Sequence, residues 1–262
     1  MHGKPGREEL ELTRDQQGSG SVETSLTKGR CLGLVGGLGV GATVHYYQAL
    51  ARAHEERGRL LDVVIVHAEI LRVFRHVEQG DRKGLAEYLN GFILRLQTAG
   101  AEVVAIPAIT PHYCIAELAA ISPLLVVDIF EPLNRELATR AIRRVAVFGT
   151  RYVMESGLFG MAGEAEIVKT RPEETDFIHT TYTELARLGR GSDEQHRKLT
   201  SLAHVLCQRD GADAIVLAGT DLAVLFNENN TDFPCVDCAA LHIGRIVQSL
   251  LGESDKADSP RG

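Results

Sequence analysis

The segment Ala99-Gly100-Ala101-Glu102-Val103-Val104-Ala105-Ile106-Pro107-Ala108-Ile109-Thr110 returns, at a constant offset, as Asp210-Gly211-Ala212-Asp213-Ala214-Ile215-Val216-Leu217-Ala218-Gly219-Thr220-Asp221. Each copy leaves a helical stretch through a glycine, runs through a short apolar strand and ends in a turn. A second pair follows roughly the same register: Arg30-Cys31-Leu32-Gly33-Leu34-Val35-Gly36-Gly37 and Arg144-Val145-Ala146-Val147-Phe148-Gly149-Thr150 are both apolar strands closed by a glycine turn. The chain therefore reads as two similar α/β halves. Ala108 and Gly219 fall at equivalent places, at the ends of equivalent strands.

Outward from the repeat, the same alternation continues. Apolar runs at 31–35, 63–66, 103–106, 124–127, 145–148 and 214–217 are separated by segments of helical period. Alternation of this kind predicts parallel sheets covered on both faces. The helix over 84–98 puts Leu85, Tyr88, Leu89, Phe92 and Leu96 on one side, and its counterpart over 193–208 carries Leu199, Leu202, Ala203, Val205 and Leu206. Gly100 and Gly211 follow these helices, where a left-handed residue costs little. Residues 1–29 are polar and without apolar period, which predicts a disordered leader, and 252–262 reads as a frayed tail.

The composition narrows the range of partners. A chain of 262 residues can bury a sizeable core and lies near the size at which one core divides into two. A net charge of -7 argues against nucleic acid or an anionic membrane surface, because either demands a basic face. No run approaches the length of a membrane span and no secretory signal opens the chain, so a cytoplasmic protein with a small ligand is expected. Five cysteines, an odd number, fit reduced thiols better than a disulfide framework.

In open α/β sheets ligands sit beyond the carboxyl ends of the strands, and this restricts the candidates to the loops there. Gly36-Gly37-Leu38-Gly39-Val40-Gly41-Ala42-Thr43 joins the first strand to a helix, and four glycines let a backbone approach an anion at a helix N-terminus. Its spacing does not fit the Gly-x-Gly-x-x-Gly dinucleotide pattern. A tight strand-to-helix turn is the plainer role. Thr110 and Thr220 could hold a carboxylate together with neighbouring amides, or could simply cap helices.

Together these segments resemble the aspartate/glutamate racemase superfamily. Leu34-Val35-Gly36-Gly37-Leu38-Gly39 with Ala42-Thr43 and Tyr46-Tyr47 is similar to the family's Gly-Gly-Met-Gly-Pro-Glu-Ala-Thr opening, with Val40-Gly41 in place of Pro-Glu. Pro107-Ala108-Ile109-Thr110-Pro111-His112 resembles Pro-Cys-Asn-Thr-Ala-His, and Ile215 to Leu222 resembles Ile-Leu-Gly-Cys-Thr-Glu-Leu. Gly149-Thr150-Arg151-Tyr152-Val153-Met154 is similar to Gly-Thr-x-x-Thr-Met, and Pro234 to His242 resembles the closing Pro-x-x-Asp-Thr-Thr-x-x-His. The resemblance covers about 31–251. It implies two Rossmann-like parallel-sheet α/β domains related by a pseudo-twofold axis, with a ligand cleft between them. With the repeat, it divides the chain into 30–134 plus 237–251 and 135–236. It further implies a homodimer and a reaction without cofactor or metal.

The family racemises acidic amino acids with two cysteines, one on each face of the α-carbon. In this chain Ala108 and Gly219 stand where the resemblance expects them. A methyl group and a hydrogen carry no proton, and an α-proton beside a carboxylate needs a poised base and acid on opposite faces. Replacement candidates are His112, Asp221 and Cys238, with Cys114 and His45 further out, and each has a plain structural role to set against it: helix end, helix cap or buried filler. Cys235-x-x-Cys238 has no second pair at zinc spacing, so no metal is expected. Gly37, Gly39, Thr43, Thr110, Thr150, Thr220 and His242 are the expected substrate contacts. Two functions remain: an enzyme acting on a small carboxylate or amino acid with an altered proton-transfer site (an isomerase, or a one-base decarboxylase or lyase), or an inactive relative that binds a small carboxylate or a partner.

Overall fold

The computed structural model describes residues 27–252 apart from Glu228; most of the expected leader and tail lies outside the described residues. The first half contains β1 (Thr27–Lys28), β2 (Leu32–Gly36), α1 (Val40–Glu55), β3 (Arg59–Leu60), β4 (Val63–His67), α2 (Ile70–Glu78), α3 (Arg82–Thr98), β5 (Val103–Ala105), α4 (Ile115–Ile121) and β6 (Leu125–Val126). The second contains α5 (Phe130–Thr139), β7 (Arg144–Phe148), α6 (Arg151–Glu155), β8 (Glu166–Ile167), α7 (Pro172–Leu188), α8 (Asp193–Asp210), β9 (Ala214–Leu217), β10 (Cys235–Asp237) and α9 (Cys238–Leu251). Short 3-10 turns at Thr110–Cys114 and Thr220–Val224 follow the two copies of the repeat.

Two four-stranded parallel sheets result, with orders β4-β2-β5-β6 and β8-β7-β9-β10. The orders are the same once β2 is matched to β7, β4 to β8, β5 to β9 and β6 to β10, so the repeat is structural and the halves are related by a pseudo-twofold. β2, β5 and β9 are buried throughout, as central parallel strands with helices on both faces must be. Gly100 and Gly211 adopt φ of 96° and 69° behind α3 and α8, the left-handed conformation expected of them. Thr27 and Lys28, the last residues of the polar leader, pair in parallel with Arg59 and Leu60.

The halves exchange their closing helices. α5 leaves the first sheet, yet Phe130, Leu133 and Leu137 are buried among Val145, Val147 and the rest of the second core. α9 leaves the second sheet and buries Ala239, Ile243, Ile246, Val247 and Leu250 against Leu32, Leu34 and Val103 of the first. Each helix begins on an aspartate from the strand end before it: Asp128 accepts from the Phe130 amide at 2.9 Å, and Asp237 from the Ala239 amide at 2.8 Å. This exchange holds the carboxyl ends of the two sheets against one another and leaves a cleft between them. No helix among the described residues is long and apolar enough to cross a membrane.

Candidate active site in the cleft between the halves

The glycine loop forms one wall of the cleft. Gly37 has φ of 82°, and a Cβ there would lie 2.6 Å from the carbonyl of Ala68 and from the ring of His67. Its amide donates to the Thr43 hydroxyl (3.1 Å), which donates in turn to the Gly39 carbonyl (2.8 Å), so Thr43 braces the loop from inside. Gly39 and Gly41 are small for a different reason: the carboxylate of Asp221 lies directly beneath both, and a Cβ at either would strike it.

Asp221 thus reaches across from the second half to the start of α1. It accepts from the Ala42 amide at 2.6 Å and from the Tyr182 hydroxyl at 3.1 Å, and it is fully buried. Burial raises its pKa above the ordinary carboxylate value, against the opposing pull of these two donors. The anion suited to the N-terminus of α1 is therefore supplied by the chain itself. Leu38 and Gly39 line the cleft, and their amides make no hydrogen bond among the described residues.

The far wall is built from the repeat. Ala108, Ile109 and Thr110 line the cleft, with Thr150 and Ala218 opposite them. The Thr110 and Thr150 hydroxyls stand 3.4 Å apart, and Thr150 also caps α6 through the Val153 amide at 3.3 Å. Thr220 turns away and donates to the Pro107 carbonyl at 3.0 Å, tying the two copies of the repeat together.

The space beside Gly219 is taken. A Cβ built there would overlap the ring of Tyr182, a residue of α7 that lines the cleft. Tyr182 lies with Ile178 and Leu185 on the buried face of its helix. Its phenol is held well above its ordinary pKa by burial and by the neighbouring Asp221. Nothing in the sequence links it to Gly219, because the approach is made between separate elements. Ile70 and Phe74 of α2 and Arg187 of α7, which also line the cleft, are likewise marked only by the fold.

Several expected residues stand elsewhere. His112 is fully buried, its Nδ1 donating to the Ala108 carbonyl at 2.8 Å, and its Nε2 has no partner among the described residues. Burial lowers its pKa. His242 lies close by, with ring centroids 5.8 Å apart; its Nε2 donates to the Val127 carbonyl (3.0 Å) and its Nδ1 accepts from the Tyr46 hydroxyl (3.1 Å). Burial pushes the His242 pKa down to about 3. Cys238 is buried in the second core at the start of α9, and Cys114 is bonded to the Pro111 carbonyl. Burial raises both thiols, Cys114 to about 12. The cleft therefore gathers Gly37, Gly39, Thr110 and Thr150, while Thr43, His112, Thr220, Asp221, Cys238 and His242 support it from behind or pack apart from it.

A sequence profile described as Asp/Glu/Hydantoin racemase matches residues 35–246, most of the chain. The chain belongs to this family. Solved structures agree on the fold. A proposed Asp/Glu racemase from Yersinia pestis shares 22% identity at a TM-score of 0.70, covering 84% of this chain and 99% of its own. An aspartate racemase homologue from Pyrococcus horikoshii shares 20% at 0.66, with 84% and 99% covered. Glutamate racemase from Thermus thermophilus, in complex with β-chloro-D-alanine, shares 19% at 0.58, with 89% and 84% covered. The two-sheet architecture is thus shared with these structures, and what the cleft of this chain does rests on the side chains it holds.

Proposed function

We propose that this racemase-family chain binds a small carboxylate in the cleft without running a two-thiol proton transfer. One observation carries the reading: the ring of Tyr182 lies where a side chain at Gly219 would have to be. Two-base inversion requires an acid and a base on opposite faces of one carbon. At Ala108 the first face offers a methyl group, and at Gly219 the second offers the carbon edge of a phenol ring whose hydroxyl is engaged with Asp221. The ionisable side chains lining the cleft are Tyr182 and Arg187. A phenol raised above its ordinary pKa and a guanidinium both keep their protons near neutral pH, so neither removes one from carbon. The carboxylate is met instead by the Arg187 guanidinium, with the paired threonine hydroxyls as further donors.

A one-base isomerisation, decarboxylation or elimination is the second reading. Its candidate base is His112, buried behind Ala108 with no partner for Nε2 among the described residues, which would have to be brought into the cleft to act. Incubating the protein with L- and D-aspartate and L- and D-glutamate in deuterated water tests two-base chemistry directly. The expected result is no α-deuteration above the buffer control; robust exchange or stereoinversion would overturn the proposal. A rise in melting temperature with a small carboxylate, unaccompanied by turnover, is the positive counterpart.

A further inference from the structure

We infer that the ligand is a monocarboxylate bearing an apolar group and no free ammonium; this rests on the carboxylate-binding reading of the same cleft. The charges and surfaces facing the cavity select that class. Arg187 is its one cationic lining side chain, and it makes no ion pair among the described residues. One cation matches one carboxylate. Among the described residues, no aspartate or glutamate lines the cavity. Asp221, beneath the loop, is fully buried and committed to the Ala42 amide and Tyr182, and Glu78 at the end of α2 is taken by the Tyr152 hydroxyl. An ammonium entering here would lose water without gaining an anionic partner, which is strongly unfavourable.

The remaining surface is apolar. Leu38, Ile70 and Phe74 of the first half and Ala186 of α7, with Ile109, are among the apolar side chains lining this cavity of about 340 Å³. A second carboxylate, such as the side chain of glutamate, would meet this wall without a cation. A phenyl or branched alkyl group would bury area favourably. One cation in an otherwise largely apolar lining therefore asks for one small acid with an apolar substituent.

Calorimetric titration of the full chain with 2-phenylpropionate, 2-phenylpropionamide and glutamate tests this. The acid is expected to bind at least about tenfold more tightly than either the amide or glutamate, a difference readily resolved. Arg187→Gln, at an exposed position outside the core, should weaken the acid about tenfold and leave the amide unchanged. Phe74→Ser should weaken 2-phenylpropionate and not acetate. Glutamate binding more tightly than 2-phenylpropionate would overturn the ligand class while leaving the carboxylate reading in place. Equal binding of acid and amide would remove Arg187 as the clamp and overturn the inference. Failure of every carboxylate to bind would overturn both readings.

Discussion

The ends of β5 and β9 are the same piece of sequence in the same topological position, and they have been finished differently. After β5 the chain presents Ala108, Ile109 and Thr110 to the cleft, held from behind by His112 on the Ala108 carbonyl. After β9, Gly219 is covered by the Tyr182 ring, and Asp221 turns under the glycine loop to cap α1. Thr110 and Asp221 are equivalent by the repeat, and each reaches the start of a helix in the other half, α6 through Thr150 and α1 through Ala42. The pseudo-twofold is thus kept in the backbone and in the crossing contacts but broken in the side chains that face the cavity. One face is open and the other is filled by an aromatic ring. A symmetric scaffold has become a one-sided cavity.

The largest test of that asymmetry is Tyr182. Tyr182→Ala should cost about 3–5 kcal/mol in denaturant unfolding, because it removes a buried ring and leaves Asp221 without one donor. Gly219→Cys alone should cost about 1–3 kcal/mol through overlap with that ring, whereas Ala108→Cys, which faces open space, should cost under about 1 kcal/mol. In a double-mutant cycle the thiol at 219 should be much better tolerated once Tyr182 is alanine. Equal penalties for the two cysteines in the native background would dissolve the contrast between the faces.

Asp221 provides the next test. Asp221→Ala should destabilise by about 2–3 kcal/mol, leaving the Ala42 amide and the Tyr182 hydroxyl unpaired in a buried place. Its titration has a definite sign. Because burial raises the folded pKa above the unfolded value, the native state holds the proton more tightly between the two values. Wild-type stability relative to Asp221→Asn should therefore rise as pH falls from the folded pKa towards about 4. A difference that does not vary with acid pH would show the carboxylate to be better compensated than its burial implies.

The histidines behind the open face act in the opposite direction. His112 and His242 are buried as neutral rings, with pKa values lowered, His242 to about 3. Below about pH 6.5 the unfolded chain takes up protons that the folded one refuses, so His242 should remove up to about 1.4 kcal/mol of stability per pH unit between its unfolded and folded pKa, and His112 acts in the same direction. His242→Gln should flatten the slope of stability against pH from about 6.5 downward; an unchanged slope would place the acid sensitivity elsewhere. The smallest effect is expected at Thr110→Val, about 0.5–1 kcal/mol, because its hydroxyl contact to Thr150 is long. A cost as large as that at Asp221 would mean that the two crossing contacts carry equal weight after all.

Much of the fold was legible in the chain because it rests on local pattern. Apolar runs separated by helical periods marked β2, β4, β5, β6, β7 and β9, and the repeated segments marked the equivalence of β5 with β9 and of β2 with β7, since both are written in consecutive residues. The glycines after α3 and α8 were equally readable: a left-handed residue is a backbone requirement, felt at that position alone. The site was legible only in part. Gly37, Gly39, Thr110 and Thr150 are found by the rule that ligands gather at the carboxyl ends of strands. Asp221 was recognised as an acid in the repeat, but its target is α1 in the other half of the chain. Tyr182 carried no signal, since a tyrosine on the apolar stripe of α7 looks like any other core residue.

By itself, then, the sequence determined the two-sheet architecture, the equivalence of the two strand ends and the residues Ala108 and Gly219 that stand there. Only the tertiary structure decided that one of those positions opens on the cavity and the other is covered. The physical reason is that occupancy of space beside a glycine is set by whichever side chain packing brings against it. That neighbour comes from a separate helix, chosen by burial of the whole interface and not by any pattern within either segment.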